Sequence, residues 1–561
     1  MSSRWFLACL FIIALFSFPG FAFGQWIADG AVLSTAADYQ YNPTIVSNGA
    51  GGAIVVWYDF RTHTNQDIYT QAITAAGATE WTSNGVALCT ASDDQQYPYA
   101  VSDGSGGAIV VWHDARSGAD DIYTQRVSSA GTPLWTSNGI VVCNAAFGQT
   151  FPRIVADGSG GAIMVWADGR NGNSDIYAQR VNASGATQWA SNGVVVASAV
   201  GPQLAPELVT DGAGGSIVVW EDTRGGFNDI YSQRLDAAGN ALWTPDGISV
   251  CSAAGNQYFP HIVSDGGGGA IATWSDKRGG SFFDIYAQHI QSMGSVAWAT
   301  DGVAVCTAAN DQDSPALVAD GSGGATIAWA DLRNGTNYNV FAQHFDSAGS
   351  ADWTINGVAI CTATGDQINP TIVEGASGGT LIAWQDKRSG AFDVYAQGVS
   401  SIGGTAWTVN GVVVSNATGD QLYPEVIADG AGGLIATWQD GRTGSYDIYA
   451  LRLAESGVVP TAVRPAHAGP KLNLSENYPN PFAASTTLTL QVPTDTDVTV
   501  DVYDVGGRVV RSFGRLRTVG RGLQLTFDGR DDEGRQLPSG VYFYRVNDHG
   551  AIAVRRMVLI R

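Results

Sequence analysis

Short apolar runs recur along the chain and are separated by glycine-rich polar turns. In one unit, GAIVVWHD (residues 107–114) is a continuous apolar run, whereas DIYTQRVS (residues 121–128) alternates in character. A continuous run predicts a strand covered on both faces, and alternation predicts a strand with one solvated face. The turn before the first run, DGSGG, has the aspartate and glycines of a tight hairpin. Each unit therefore predicts four short strands, A to D, and an all-β fold.

The unit occurs eight times. Two series of tryptophans recur every 54 or 55 residues, at 57, 112, 166, 220, 274, 329, 384 and 438 and at 26, 81, 135, 189, 243, 298, 353 and 407. Four-stranded units at a fixed period favour a β-propeller over a β-solenoid, whose repeats are usually shorter. Trp26 belongs to a strand D, and the last unit ends after its strand C. We therefore predict that the N-terminal strand completes the eighth blade, which removes free sheet edges.

The two ends of the chain differ from the repeats. Arg4, an apolar run at 5–16 and small residues at 22–24 predict a signal peptide. No later run reaches the roughly 18 apolar residues of a transmembrane segment. The predicted fold class is all-β, an eight-bladed β-propeller followed by a small Ig-like β-sandwich. The predicted domains are a signal peptide (1–24), the propeller (25–457), a linker rich in proline and alanine (458–471) and the C-terminal domain (472–561).

The chain is strongly acidic, with a formal net charge of −22. Residues 471–561 carry 12 basic and 10 acidic groups, net +2, so the preceding part carries −24. An acidic surface repels phosphate backbones, which excludes nucleic acid as a partner. The acidity either keeps an exported protein soluble or favours cations, cationic patches or neutral glycans as ligands.

Five cysteines remain after the predicted signal peptide. Each lies eight residues after a tryptophan of the second series; they are Cys89, Cys143, Cys251, Cys306 and Cys361. The equivalent positions in other units are Ser34, Ala197 and Ser415, so the position requires a small side chain. We predict separate packing residues that do not pair. Without a CxxC or a Cys/His cluster, no zinc site is predicted.

The stretch WEDTRGGFNDIYSQR (residues 220–234) contains the most chemistry-like motif. Side chains two apart on a strand face the same way, so Trp220, Asp222 and Arg224 share one face as strand B enters the B–C loop. Asp229 opens strand C across that loop. An arginine fork on one or both carboxylates would clasp the loop. Because Asp-x-Arg recurs in all eight units, the structural interpretation is favoured over a ligand site or an active site, which is normally a single asymmetric constellation.

The motif resembles that of TolB-type, WD40-like propellers, whose repeats carry an S-x-R-x-G-x-x-D-I-Y core. The matching residues in one unit are Arg116, Gly118, Asp121, Ile122 and Tyr123. This resemblance covers about a third of each unit, and the unit is longer than is usual for that family. It implies the fold and says little about function.

A ligand face would lie where the D–A and B–C loops meet, because both run to the same rim. Aromatic residues gather there unequally, and the candidate ligand-binding set is Tyr97, Phe227, Phe282, Tyr338, Phe392 and Tyr446. Exposed rings among acids suit sugar stacking; the alternative is that they pack between blades. Calcium is a further candidate for the Asp-rich loops, although no twelve-residue loop with alternating oxygen ligands is present. No cofactor and no other metal site is predicted.

Enzyme signatures are weak. The histidines do not recur in register with a Ser or Cys nucleophile, and HExxH is absent. The one GxSxG, at 375–379, occupies a hairpin turn without the following helix of a nucleophile elbow. The leading hypothesis is therefore an exported, non-catalytic propeller that binds glycans or proteins. The alternative is a secreted polysaccharide glycosidase or lyase with its site on the propeller rim.

The C-terminal segment changes character, with less glycine and more arginine. Its characteristic residues are Asn477, Tyr478, Pro479, Asn480, Pro481, Phe482, Tyr503, Asp504, Gly506, Gly507, Arg508, Asp528, Gly529, Arg530, Asp531, Gly534, Pro538, Ser539, Gly540, Val541 and Tyr542. They resemble the type A sorting domain of the type IX secretion system, which is similar to the Ig-like module of flagellar hook-capping proteins. Phe527 stands where that family usually has tryptophan. The resemblance implies the type IX machinery as a partner and a secreted or outer cell-surface location; the alternative is an Ig-like accessory domain without a sorting role.

Overall fold

The computed structural model describes residues 26–460, 473–474, 477–491, 497–504, 509–518, 522–548 and 551–561. The predicted signal peptide and Gly507 lie outside these residues, as does the predicted linker beyond residue 460. The chain divides near residue 461 into two compact units, each described by itself below. Within the described ranges, no helix is long and apolar enough to cross a membrane.

The first unit consists of short strands in chain order. Strand β1 is Ala31–Ser34. Blade 1 contains β2 (Gln40–Ser47), β3 (Ala53–Asp59), β4 (Asp67–Ile73) and β5 (Val86–Cys89). Blade 2 contains β6 (Gln95–Ser102), β7 (Ala108–Asp114), β8 (Asp121–Val127) and β9 (Ile140–Cys143). Blade 3 contains β10 (Gln149–Ala156), β11 (Ala162–Asp168), β12 (Asp175–Val181) and β13 (Val194–Ala197). Blade 4 contains β14 (Gln203–Thr210), β15 (Ser216–Asp222), β16 (Asp229–Leu235) and β17 (Ile248–Cys251).

The same pattern continues to the end of the unit. Blade 5 contains β18 (Gln257–Ser264), β19 (Ala270–Asp276), β20 (Asp284–Ile290) and β21 (Val303–Cys306). Blade 6 contains β22 (Gln312–Ala319), β23 (Ala325–Asp331), β24 (Asn339–Phe345) and β25 (Val358–Cys361). Blade 7 contains β26 (Gln367–Glu374), a 3₁₀ turn (Ala376–Gly378), β27 (Thr380–Asp386), β28 (Asp393–Val399) and β29 (Val412–Ser415). Blade 8 contains β30 (Gln421–Ala428), β31 (Leu434–Asp440) and β32 (Asp447–Leu453).

The predicted eight-bladed propeller is confirmed. Each blade is an antiparallel sheet in the order A-B-C-D, and β1 supplies the fourth strand of blade 8 by pairing with β32. The B strands are buried along their whole length, as a continuous apolar run requires. The A strands of neighbouring blades contact one another around the ring, from β2 with β6 to β30 with β2. They therefore line the central axis of the propeller.

Tryptophans of the second series join neighbouring blades. The indole Nε1 of each donates to a backbone carbonyl about 48 residues further along the chain, at 2.9–3.3 Å. Glycines in positive-φ turns of the next blade approach the same rings; a Cβ on Gly131 would lie 2.7 Å from Trp81. The contact that closes the ring joins blade 8 to blade 1, where Trp26 donates to Ala75 O at 2.9 Å. The eight bonds therefore run round the whole ring.

The second unit is a small β-sandwich, as predicted. One sheet contains β33 (Asn473–Leu474), β34 (Thr486–Gln491) and β37 (Gly522–Phe527). The other contains β35 (Asp497–Tyr503), β36 (Val509–Arg517), β38 (Gly540–Asp548) and β39 (Ala551–Leu559). Its core includes Phe482, Phe527, Tyr544 and Met557. Phe527 is fully buried and packs edge-on against Phe482, so a phenylalanine fills this core position.

Candidate functional site

Asp222 lies at the centre of the recurrent motif of blade 4. Its carboxylate is fully buried and accepts hydrogen bonds from the Trp220 indole (2.9 Å) and the Arg224 backbone N–H (3.0 Å). The Arg224 guanidinium grips both oxygens, with Nε–Oδ1 at 2.9 Å and Nη2–Oδ2 at 2.5 Å. Arg224 also donates to Asp246 O and stacks over the Tyr231 ring at 4.0 Å. The Asp222 carboxylate is thus fully engaged by contacts within its own blade.

Asp229 stands outside this fork. It lies opposite Asp222 in the strand register and is buried, but no side chain of the described residues donates to it. Desolvation, followed by repulsion from Asp222, raises the pKa of Asp229 to about 6. Arginine therefore engages one of the two carboxylates that the sequence offers.

The cysteines connect the fork of one blade to the preceding blade. All five are free and buried; Arg116 donates to Cys89 Sγ at 3.0 Å, and four other blades repeat this contact. Burial raises the pKa of Cys89 to about 12. These thiols are therefore protonated packing groups.

The six candidate aromatic residues do not converge on one place. Phe227 and Phe282 are exposed in the B–C loops of blades 4 and 5. Tyr338 and Phe392 are half-buried in the equivalent loops of blades 6 and 7. Two cavities lie on the axis of the propeller, and of the six residues only Tyr97 lines one of them. The six rings lie at separate positions around the rim where the B–C and D–A loops meet, as Tyr446 of one B–C loop contacts Tyr39 of a D–A loop; their role in ligand binding stays a prediction.

Tyr97 and Tyr446 instead belong to a continuous band of rings, which we call the aromatic arc. It spans blades 8, 1, 2 and 3 on the D–A loop side, and neighbouring ring centroids lie 5.5–6.2 Å apart. Its members are Tyr446, Tyr39, Tyr41, Tyr58, Tyr97, His113 and Phe151. Contacts such as Tyr58–Tyr97 cross from one blade to the next. The rings thus pack between blades, but the band is confined to one side of the ring of blades.

A backbone bulge presents the exposed members of this region. In every A strand the residue before the proline has a positive φ, between 47° and 55°; these residues are Asn42, Tyr97, Phe151, Ala205, Phe259, Ser314, Asn369 and Tyr423. The strand register shifts at this point in each blade. A positive φ is unfavourable for bulky side chains, and more so before proline. Four of these side chains are rings that remain 47–53 % exposed: Tyr97, Phe151, Phe259 and Tyr423.

Two cavities occupy the axis of the propeller. One, of about 640 Å³, is lined by blades 8, 1, 2 and 3, and the other, of about 630 Å³, by blades 4 to 8. Tyr423 and Glu425 line both, so the cavities form two parts of one axial channel. The wall residues come from the A strands, around the bulge and its proline, with the exception of His113 on β7.

The residue after the proline varies between blades: six residue types occupy the eight positions, and only threonine and glutamate occur twice. In order, these residues are Thr44, Tyr99, Arg153, Glu207, His261, Ala316, Thr371 and Glu425. Arg153 pairs with Glu207 at 2.6 Å and lies 4.0 Å over the Tyr99 ring. The channel is therefore asymmetric, unlike the fork, and sequence reasoning missed it. Aligning the eight repeats at their shared proline would have revealed this variable position.

Two titratable groups of the channel are displaced from their usual behaviour. Glu425 is exposed to the solvent in the channel but is surrounded by protein on all sides of it. Desolvation therefore raises the pKa of Glu425 to about 7. Arg153 lowers this pKa and Glu207 raises it further. Burial, with Arg153 adding to it, lowers the pKa of His113 to about 4. His113 Nε2 accepts a hydrogen bond from Phe151 N–H at 2.7 Å. A neutral imidazole thus supports the aromatic arc.

We expect Glu425→Gln to stabilise the propeller at alkaline pH. The pKa of Glu425 is raised from 4.5 to about 7 in the folded state. The folded state therefore binds the proton more tightly than the unfolded state does. The protonated carboxyl contributes to folding stability below the unfolded pKa, and this contribution is lost as the pH rises through 7. Melting temperatures of both proteins from about pH 5 to about pH 8 check this. The difference should grow with pH; Glu374→Gln, an exposed carboxylate at an A–B turn, is the control. A pH-independent difference would contradict the prediction.

The C-terminal unit brings its characteristic residues together at one edge. Phe482 N–H donates to Val558 O (3.0 Å), and Ile560 N–H donates to Phe482 O (2.9 Å), so the segment of Asn477–Phe482 runs beside the last strand. Asn477 is buried and donates to Thr486 Oγ1 at 2.9 Å. Gly529 has a φ of +67°, and its carbonyl accepts from Arg561 at 2.9 Å. Asp528 is exposed, and Gly540 begins β38.

Residues 476–560 match the family model of a secretion system C-terminal sorting domain. The C-terminal unit is a type IX secretion sorting domain. The sorting domain includes Asn477, Pro479, Asn480, Pro481 and Phe482. It marks the protein for export to the cell surface or the medium and implies contact with the type IX machinery.

Comparison of the whole chain with known proteins assigns it no activity. No curated protein sequence matches it. Among solved structures, it is similar to a polysaccharide lyase of family PL25, an ulvan lyase (10% identity, TM-score 0.41, 78% of this chain and 96% of the other). It is also similar to a fungal alcohol oxidase of the AA5 family in complex with copper (12%, 0.37, 83% and 97%). A third is PorZ of Porphyromonas gingivalis, a surface component of its type IX secretion system (11%, 0.27, 94% and 82%). Likenesses at these scores support no conclusion about activity.

Proposed function

We propose that this exported protein is a non-catalytic binding propeller whose ligand is a glycan. The observation that supports it is the aromatic arc, which presents rings on one side of the axial channel. Rings alternating with acids and amides suit sugars, whose apolar faces stack on aromatic side chains while their hydroxyls take hydrogen bonds. The Asp-x-Arg forks are symmetric, and their carboxylates are buried and paired with arginine, so the proposed site is the mouth of the channel.

The exposure of two rings of the arc supports the same location, because the strained bulge recurs in every blade but presents members of the arc only in blades 2 and 3. Tyr97 and Phe151 are exposed although each sits in an unfavourable positive-φ bulge. Strained residues persist where the surrounding structure over-determines them, and they cluster at binding sites. Burial of the two rings by a ligand would recover the hydrophobic free energy that their exposure forgoes.

Alanine substitution of the exposed rings tests the proposal. We expect Tyr97→Ala and Phe151→Ala each to weaken binding of a glycan identified on an array about three- to tenfold, since an aromatic contact contributes about 0.5–1.5 kcal/mol. Isothermal titration with that glycan measures the loss. Phe227→Ala removes a ring that is 53 % exposed but lies outside the arc, and it should leave the affinity unchanged. A loss at Phe227 alone would return the site to the B–C loops.

A polysaccharide glycosidase or lyase is the second candidate, and one observation favours it. Glu207 and Glu425 both line the channel, but Glu207 is paired with Arg153, whereas the pKa of Glu425 is raised to about 7. Two carboxylates with different environments can serve as acid and base. Incubation with polysaccharides, followed by assay of reducing ends and unsaturated products, separates the candidates. Product formation that Glu425→Gln abolishes would refute the non-catalytic proposal.

A further inference from the structure

The charge within the channel restricts the class of glycan. Its walls carry three carboxylates, on Glu207, Asp313 and Glu425, and a single guanidinium, on Arg153. Desolvation lowers the pKa values of the two histidines of the walls, His113 and His261, so they add no positive charge near neutral pH. The channel is therefore net negative.

Most of these charges already have partners. Arg153 is paired with Glu207 and covered by Tyr99. Asp313 accepts hydrogen bonds from Ser275 Oγ (2.9 Å) and Ser314 N–H (2.7 Å). The Glu425 carboxylate differs, because it forms no hydrogen bond or ion pair with any residue in the described part of the chain. It is exposed to both cavities, at the point where they meet. A carboxylate in this position can accept a charge-assisted hydrogen bond from a cationic group of a ligand.

The surroundings of Glu425 favour an ammonium group on a sugar. Tyr423, two residues before Glu425 on the same strand, lines both cavities and is exposed. An aromatic face beside a carboxylate attracts ammonium ions through both the ring quadrupole and the charge. The aromatic arc next to it presents the exposed rings of Tyr97 and Phe151, on which further sugar rings can stack. The acidic propeller as a whole attracts cationic chains and repels uronate or sulfate-bearing ones.

We propose that the channel mouth binds glycans built of hexosamine residues with free, protonated amino groups, and that Glu425 receives the ammonium group. This inference rests on the proposed glycan-binding function and narrows its ligand. Acetylation of the amine removes its charge and adds bulk, so the N-acetylated form of the same chain should bind poorly.

Titration calorimetry of the full-length protein near neutral pH tests the inference with two probes. They are a hexamer of β-1,4-linked glucosamine and the same hexamer fully N-acetylated. We expect the glucosamine hexamer to bind about tenfold or more tightly, as for a charge-assisted hydrogen bond in an enclosed site. Glu425→Gln should abolish this preference, and Glu374→Gln, which makes the same charge change at an A–B turn, should preserve it. The melting temperature of Glu425→Gln at the same pH shows whether the variant is folded, which separates a loss of binding from unfolding.

The other outcomes are distinguishable. If both hexamers bind equally and Glu425→Gln has no effect, this inference fails while the glycan-binding proposal stands. If hexalysine competes with the glucosamine hexamer at equal affinity, the ammonium is recognised without its sugar and the assignment to glycans is overturned. If neither hexamer binds but a neutral glycan does, and Tyr97→Ala weakens that binding, the inference alone is refuted. If no glycan binds at all, both proposals are refuted.

Discussion

Asp222→Ala is expected to destabilise the propeller by about 3–5 kcal/mol, the usual effect of breaking a buried ion pair from one side. Asp222 is fully buried and accepts four hydrogen bonds, from Trp220 and Arg224. Its loss leaves a buried indole N–H without an acceptor and a guanidinium, largely enclosed, without a counter-charge. Denaturant unfolding of the purified propeller, followed by tryptophan fluorescence, measures the change.

The adjacent carboxylate provides the control for Asp222. Asp229→Asn removes a group whose pKa is already raised to about 6 and which receives no arginine, so at pH 7 it should leave stability unchanged or raise it. Glycan binding should persist in both variants, because the fork lies away from the arc. Equal destabilisation by the two variants would mean that the fork depends on both carboxylates. Loss of binding without loss of stability would make Asp222 a ligand residue.

Deleting residues 26–35 is expected to have a still larger effect, the loss of the cooperative, monomeric ring. These residues contain β1, the outer strand of blade 8, whose removal exposes the edge of β32. The deletion also removes the bonds from Trp26 to Ala75 O (2.9 Å) and from Arg442 to Asp29 O (2.6 Å). An exposed strand edge is a template for pairing between molecules. Light scattering should detect oligomers, and the melting transition should broaden or disappear.

A circular permutant tests whether the loss comes from the contacts or from the chain order. In other blades the tryptophan follows the end of strand C by eight residues, as Trp407 follows Val399. Because β32 ends at Leu453, joining Trp26 directly after Pro460 reproduces that spacing. A permutant that begins at Gln40 and ends with residues 26–39 should recover a monomeric ring. A stable monomer from the simple deletion would instead show that blade 8 holds with three strands.

The blades could be predicted because their causes are local and repeated. The continuous apolar run of strand B, the Asp–Gly turn and the two tryptophan series each recur at one period, and the burial of the B strands follows from that pattern. The closure of the ring could also be predicted from the sequence. The chain begins with a strand D, at Trp26, whereas the last unit ends after its strand C.

The channel could not be read in the same way. The orientation of Tyr97 depends on a positive-φ bulge before proline, and pre-proline residues ordinarily avoid that conformation. Loop aromatics such as Phe227 were equally plausible from sequence, because nothing in the sequence states which way a loop side chain projects. Glu425 and Arg153 are separated by five blades along the chain and meet only through ring closure.

The pairing of β1 with β32 also affects the order in which the strands can pair during synthesis. Ala31 is among the first propeller residues to be synthesised, and its partner Ala450 among the last. In a nascent or translocating chain, β1 therefore has no pairing partner until the last blade has emerged. Contacts between residues so distant in sequence form slowly. A chain that stops early has no partner for its first strand. The pairing of the first strand with the last thus makes closure of the ring depend on synthesis of all eight blades.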